Sequence, residues 1–335
     1  MFLKIIRNGC LLACLVLFAL LVWLAVSLYR PHAFTPGDVI VEVEKGMDVG
    51  GVARLLEKRG IIGSRRAFLV SYRLFYQPRV IRAGEYALVS PLRTKEVLDI
   101  LIKGKVYLHS LTVPEGLTAR EIAPLVGPLL ADGQDAFLAA VREVEPIRRF
   151  DGEAENLEGY LFPETYSFVR GISAVDAVAA MVGQFRAVFS DTWKERAEAR
   201  RLSVRQAVTL ASLIEKETSV TEEMKLISAV FHNRLRIGMK LDCDPTIIYA
   251  LKEKGLFDGN LTKKDMALDS PYNTYRHAGL PPGPICNPGR AALEAALFPA
   301  EEAYLYFVSR NDGRHHFSRT FKEHQNAVRQ FQLKR

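Results

Sequence analysis

Two carboxylates, Glu215 and Glu217, stand two positions apart near the end of the stretch Val208-Thr209-Leu210-Ala211-Ser212-Leu213-Ile214-Glu215-Lys216-Glu217-Thr218. The stretch holds good helix formers and neither Gly nor Pro, so it reads as a helix. At about 100° per residue, Leu210, Leu213 and Ile214 form one apolar stripe. Glu217 falls roughly 20° from Leu210 on the same wheel, inside the stripe, whereas Glu215 points well away from it. A carboxylate in line with an apolar face has two uses. It can be half of a buried ion pair with Arg or Lys, or a general acid kept protonated by poor solvation. This stretch alone leaves both open.

Positioning such a group takes a core, and the composition allows one. The chain has 335 residues, 49% of them hydrophobic, with a formal charge of +7. That length suits two domains, or one large domain with additions. Part of the positive charge lies at the ends, in Lys4, Arg7, Lys334 and Arg335. No dense Lys/Arg block with interleaved aromatics occurs, so nucleic acid is not the expected partner. A mildly basic face still suits an anionic polymer. There is no Cys-x-x-Cys and no His-Glu-x-x-His, so neither a metal nor a cofactor is expected. His315-His316 reads as a surface or structural pair.

Residues 10–29 carry no charge, and twenty such residues span a bilayer core. Lys4 and Arg7 precede the run, Trp23 and Tyr29 sit near its far end, and no small-x-small site closes it before Arg30-Pro31. This reads as an uncleaved anchor, with residues 1–9 in the cytoplasm and everything after the run outside it. Residues 30–37 form a linker. Then come a strand at Val39–Val43, a helix at Gly50–Arg59, a helix from Ser64, a strand at Ala83–Leu88, a helix from Lys95 to Ile102 and a strand over Val106–Val113. The strand–helix–helix–strand order of 38–108 suits a LysM-like module or a plain spacer.

Helices are expected near 118–130 and 134–142, then from Ala174 to about Phe189. Between them Glu158-Gly159-Tyr160-Leu161-Phe162-Pro163-Glu164-Thr165-Tyr166 reads as a rigid loop presenting rings such as Phe162 and Tyr166. Rings stack on sugar faces, though core packing also explains them. After the central helix, Ser219-Val220-Thr221-Glu222 resembles a capping box that starts a helix ending at Gly238. Gly279–Gly289 holds four Pro and three Gly in eleven residues, a stiff wall in place of a flexible linker. A helix at 290–297, a hairpin from Tyr304 to Ser318 and a helix from near Thr320 complete the chain.

Six segments in this order resemble the YceG-like family of endolytic murein transglycosylases: Gly-Tyr-Leu-Phe-Pro-Glu-Thr-Tyr (159–166), Ala-Ser-Leu-Ile-Glu-Lys-Glu-Thr (211–218), Phe-His-Asn-Arg-Leu (231–235), Leu-Asp-Cys-Asp-Pro-Thr-Ile-Ile-Tyr (241–249), Tyr-Asn-Thr-Tyr (272–275) and Gly-Leu-Pro-Pro-Gly-Pro-Ile (279–285). The resemblance implies an α+β protein: an N-terminal transmembrane helix (10–29), a small LysM-like α+β module (38–108) and a larger mixed α+β catalytic domain (109–335). It implies a lyase that cuts peptidoglycan glycan strands internally beside the inner membrane, with strands, membrane and peptidoglycan synthases as partners. The family's catalytic Glu falls on Glu217. Asp244, Thr246, Tyr249, Asn273, Tyr275, Phe162 and Tyr166 are candidates for binding substrate or orienting the acid. Two alternatives remain: a lysozyme-like muramidase pairing Glu217 with Asp242 or Asp244, and a silent glycan-binding scaffold. Cys243 and Cys286 depart from the family pattern, and are either two separate buried thiols or a disulfide.

Overall fold

The computed structural model describes residues 2–35 and 37–333, with side chains from Ile6 onward. The Lys4 side chain, Pro36, Lys334 and Arg335, all part of the sequence reading, lie outside the described residues. The chain divides into two compact units, one running to His109 and including Val169–Gly171, the other holding Ser110–Phe168 and Ile172–Arg335.

The first unit opens with the helix Phe2–Tyr29, longer at its start than the uncharged run. Ile6–Tyr29 is long and apolar enough to cross a bilayer. Strand Asp38–Val43 pairs antiparallel with Gly84–Val89, from Asp38 opposite Val89 to Val43 opposite Gly84. Between these strands lie helices Val49–Lys58 and Arg65–Phe75. Asp48 and Ser64 cap them, their side chains accepting from the amides of Gly51 and Ala67. A third helix, Thr94–Lys103, ends at Gly104 in the left-handed region (φ +64°). Val52, Leu56, Phe68, Tyr86, Leu88, Leu98 and Leu101 are fully buried between helices and hairpin. The strand expected over Val106–Val113 shrinks to His109–Thr112. Its first residues are drawn into a turn, where the Val106 amide donates to the Gly104 carbonyl.

The second unit is mainly helical. Ala119–Val126, Gly133–Ala140 and Ala174–Val188 fall where the apolar periodicity predicts them. Asp191–Ala199 is a helix that the periodicity does not predict. Its charged sequence gives little pattern to show, and only Ala197 is buried. Phe185 and Phe189 stack, and Phe150 meets both edge-on. The hairpin Tyr306–Ser309 with His315–Ser318 precedes a final helix, Phe321–Val328. His315 binds the buried Glu223 through both its amide and its ring, a structural role for the first of the two adjacent histidines.

The central helix is Val204–Glu217, capped by a reciprocal Ser203–Gln206 box. Every residue from Ala207 to Ile214 is buried. The wheel of one apolar stripe is therefore too narrow, because this helix is core on all sides. Its buried hydroxyls satisfy themselves locally, Thr209 donating to the Arg205 carbonyl and Ser212 to the Thr209 carbonyl. It packs along Arg290–Leu297, whose Ala292, Leu293, Ala295, Ala296 and Leu297 are fully buried.

Candidate active site

The central helix ends at Glu217, because Thr218 turns into extended backbone (φ −149°). Its last turn carries both carboxylates out of the core to a half-buried level. The next helix, Thr221–Arg236, does not start with the expected Ser219 box. The Thr218 hydroxyl instead accepts from the Val220 amide and Val220 becomes the cap residue.

Glu217 faces the segment Leu241–Thr246. The Cys243 thiol lies within hydrogen-bonding reach of its carboxylate, and Asp244 and Arg234 are close enough to act on its charge. Loss of solvent around Glu217 pushes its pKa from 4.5 up to about 7. The Asp244 charge adds to the rise, while Cys243 and Arg234 oppose it. Position on the last helical turn works in the same direction as burial, since the negative end of the helix dipole disfavours an anion.

Several neighbours are held by the protein itself. Arg234 is buried and donates to the carbonyls of Leu305, Lys240 and Leu241 and to Asp242 at 3.2 Å. Asp242 sits at φ +50° in the turn before helix Asp244–Glu253, so it is a turn former occupied by an arginine. Asp244 is exposed at the first position of that helix and accepts from the Tyr275 hydroxyl at 2.5 Å. Asp244 and Tyr275 are thus joined beside Glu217.

The other nominated residues separate from this pair. Thr246 is fully buried, donating to the Cys243 carbonyl and bonded to Thr274, which also receives the Cys243 amide. Asn273 is also fully buried. Its amide donates to the carbonyls of Met266 and Leu268 and its oxygen accepts from the Tyr275 amide. Both residues shape the loop that presents Tyr275. Tyr249 is half-buried, its ring 5.0 Å from that of Tyr272. Phe162 and Tyr166 are buried in the core, and the Tyr166 hydroxyl donates to the Phe162 carbonyl. Their rings are spent on packing, the second of the two uses open to them from sequence.

Glu215, which the wheel turns away from the apolar stripe, is half-buried too. It accepts from the Gly289 amide at 3.0 Å and lies beside Gly116 and Glu115. Burial pushes its pKa up to about 7 as well, with the Gly289 amide pulling the other way and Glu115 adding to the rise. Cys243 and Cys286 are separate buried thiols, one at Glu217 and the other donating to the Ser212 carbonyl.

Sequence reasoning missed two residues that build the wall. Asn287 is fully buried and uses its whole amide group. Its oxygen accepts from the amides of Gly159 and Leu161, and its nitrogen donates to the Leu117 carbonyl and to Glu158. Glu158, also buried, accepts from the Ala119 amide at a helix start, and desolvation raises its pKa to about 8. Gly159 completes the joint: at φ +87° it brings backbone so close to Pro284 that a Cβ would stand 2.5 Å from the proline ring. An Asn between prolines and a Glu before a Gly were the available signals, and neither names its partner.

A Bacillus subtilis protein named endolytic murein transglycosylase is 33% identical over 310 residues, covering 88% of this chain and 84% of its own length. A Streptococcus pneumoniae protein of the same name is 32% identical over 328 residues, covering 87% of this chain but 58% of that longer relative. A crystal structure of a YceG-like protein from Listeria monocytogenes superposes with a TM-score of 0.59 at 31% identity, over 86% of this chain and 98% of the other. Residues 41–330 match the YceG-like family as a whole, a span that takes in the central helix, the Asp244–Tyr275 pair and the Asn287 joint, and the chain belongs to that family.

Proposed function

We propose that this chain, an enzyme of the lytic transglycosylase class by its relatives, cleaves the bond between N-acetylmuramic acid and N-acetylglucosamine inside peptidoglycan strands, with Glu217 as acid and then base. Protonated Glu217 gives its proton to the glycosidic oxygen as the bond to the muramic C1 breaks. The 2-acetamido group supports the developing positive charge. The carboxylate then takes the proton of that sugar's own 6-hydroxyl as the hydroxyl oxygen closes on C1. The product is a 1,6-anhydro end, and Glu217 is returned protonated. The nucleophile is intramolecular, so neither water nor a second acid takes part.

The observation that carries this reading is the carboxyl of Glu217, half-buried at the helix end with its pKa pushed up to about 7. Such an acid still holds its proton near neutral pH. The joined pair Asp244–Tyr275 lies where it can orient the acid or an acetamido group. Asp244 also keeps the muramidase alternative definite, because a second carboxylate beside the acid is what a hydrolase uses. Asp242 is less suited to that part, being paired with Arg234. Mass spectrometry of products released from purified sacculi separates the two. Anhydro ends one water lighter than hydrolysis products support the transglycosylase, and reducing ends alone move the assignment to the hydrolase.

The same proposal puts the enzyme at the inner membrane. The helix Ile6–Tyr29 acts as an uncleaved anchor with residues 31–335 outside the cytoplasm. A reporter after Arg335 that works only in the cytoplasm stays silent under this topology. The order strand, helix, helix, strand over Asp38–Val89 supports a LysM-like, glycan-gripping role for the first unit.

A further inference from the structure

The first unit has an apolar corner that its own core does not use. Helix Arg65–Phe75 buries Ala67, Phe68, Ser71 and Tyr72 on one face. At its end Leu74 and Phe75 stand 64% and 65% exposed. Phe75 and Tyr76 line a groove of about 430 Å³ whose opposite wall is Leu21, Leu24, Ala25, Leu28 and Tyr29 of the long apolar helix. Leu24 and Leu28 are buried in the same core cluster as Phe68 and Tyr72, so this helix and the module pack as one unit.

Depth follows from counting. Leu21 lies eight residues before Tyr29, about 12 Å back along the helix axis. A hydrocarbon core is about 30 Å thick and Ile6–Tyr29 is about 36 Å long, so Leu21 belongs well inside the outer leaflet. The groove runs from Leu21 to Tyr29, so its wall leads from within the outer leaflet to the membrane surface. Charges near the corner suit its rim. Arg73 and Arg79 are exposed, and Lys95, at the groove edge, is half-exposed and paired with Asp99, which also accepts from the Tyr76 hydroxyl. Long basic side chains of this kind reach lipid phosphates while their stems stay among acyl chains.

We propose that Leu74 and Phe75 form a second membrane contact: they enter the outer leaflet beside the anchor, acyl chains fill the groove, and Arg73 and Arg79 meet the headgroups. The contact fixes the module against the bilayer, where a single helix alone would let it swing. It rests on the anchor reading above.

The test uses the full chain reconstituted into phospholipid vesicles with and without acyl-brominated lipid. The chain has two tryptophans, Trp23 and Trp193. Trp193→Phe leaves Trp23 as the reporter of the anchor. Trp23→Phe with Trp193→Phe and Phe75→Trp reports the corner, and Leu74→Trp in the same background is a second reporter if the first variant folds poorly. Brominated lipid is expected to quench both the anchor reporter and the corner reporter, the latter by roughly half, as for a group at the headgroup–acyl boundary. Quenching of Trp23 without quenching of the indole introduced by Phe75→Trp or Leu74→Trp overturns the membrane contact and leaves the anchor standing. Blue-shifted, unquenched emission from both corner variants means protein covers the groove, which also overturns it. Failure to quench Trp23 itself sinks the anchor and this proposal together.

Discussion

Glu215 and Glu217 leave the same helical turn in different directions, and burial brings both to about pH 7. Their partners differ. Glu215 meets a backbone amide at 3.0 Å, at the start of helix Arg290–Leu297. Glu217 meets a thiol, a weak donor, and an aspartate charge. An amide at a helix start rewards an anion that stays in place. A thiol and a nearby anion reward a proton that can leave and return. A shifted pKa therefore marks this turn as unusual without saying which residue is the acid, and the proposal of Glu217 leans on the identity of the neighbours.

The largest expected effect divides the two directly. Glu217→Gln keeps shape and removes the proton, so strand cleavage is expected to fall by about 10³-fold or more, in line with loss of a general acid. Glu215→Gln is expected to retain most activity, because the amide oxygen still accepts from Gly289. A dead Glu215→Gln beside an active Glu217→Gln reverses the assignment.

Next in size is the joint behind Glu215. Asn287→Ala removes four hydrogen bonds and leaves the buried amides of Gly159 and Leu161 unpaired, while the Leu117 carbonyl keeps the backbone amide of residue 287, at a cost of about 3 kcal/mol. Urea denaturation reads it as a lower midpoint at unchanged slope. A loss below about 1 kcal/mol would mean that water replaces the side chain and that the wall is softer than its burial implies.

pH sharpens the comparison further. A general acid must be protonated, so kcat/KM is expected to fall as pH rises through about 7, the value to which Glu217 is pushed. Glu215→Gln should leave that alkaline limb where it is. Stability follows the same sign. Glu158, Glu215 and Glu217 all hold protons more tightly folded than unfolded. Their contribution is complete below pH 4.5 and is lost as pH rises through about 7 for the pair and about 8 for Glu158. Either Gln variant of the pair flattens part of that slope, and a stability that rises over about pH 5–8 contradicts it.

The smallest effect concerns Cys243. Serine in its place donates a stronger hydrogen bond to Glu217 and so favours the anion. The alkaline limb of Cys243→Ser is expected to move to lower pH by less than about one unit. A limb that does not move would show that Cys243 only packs.

Much of the frame was legible because it depends on local rules. Ser64 and Thr320 cap the helices read from them, and Gly104 and Gly238 stop theirs, whereas the central helix begins at Val204, ahead of the stretch from Val208 that marked it. What could not be read came from distant partners. The partners of Glu215 could not be named because Gly289 and Glu115 are far away in sequence, and the wheel knows only its own helix. Phe162 and Tyr166 looked available because a motif of rings does not say which are covered. Ser219 is not the cap, because Val220 takes that position with no side-chain cap bond, and the pattern does not rank adjacent residues.

The Asn287 joint also sets an order in time. Its bonds reach back 126 to 170 residues, to Leu161, Gly159, Glu158 and Leu117. During synthesis the central helix and both its carboxylates emerge well before residue 287 exists. Until it arrives, the segments that wall the helix have nothing to tie them, and closing so long a loop is slow. A growing chain therefore carries the Glu215–Glu217 turn for many residues without that joint. A chain broken off before Asn287 lacks both that joint and the helix Arg290–Leu297 on which the central helix packs.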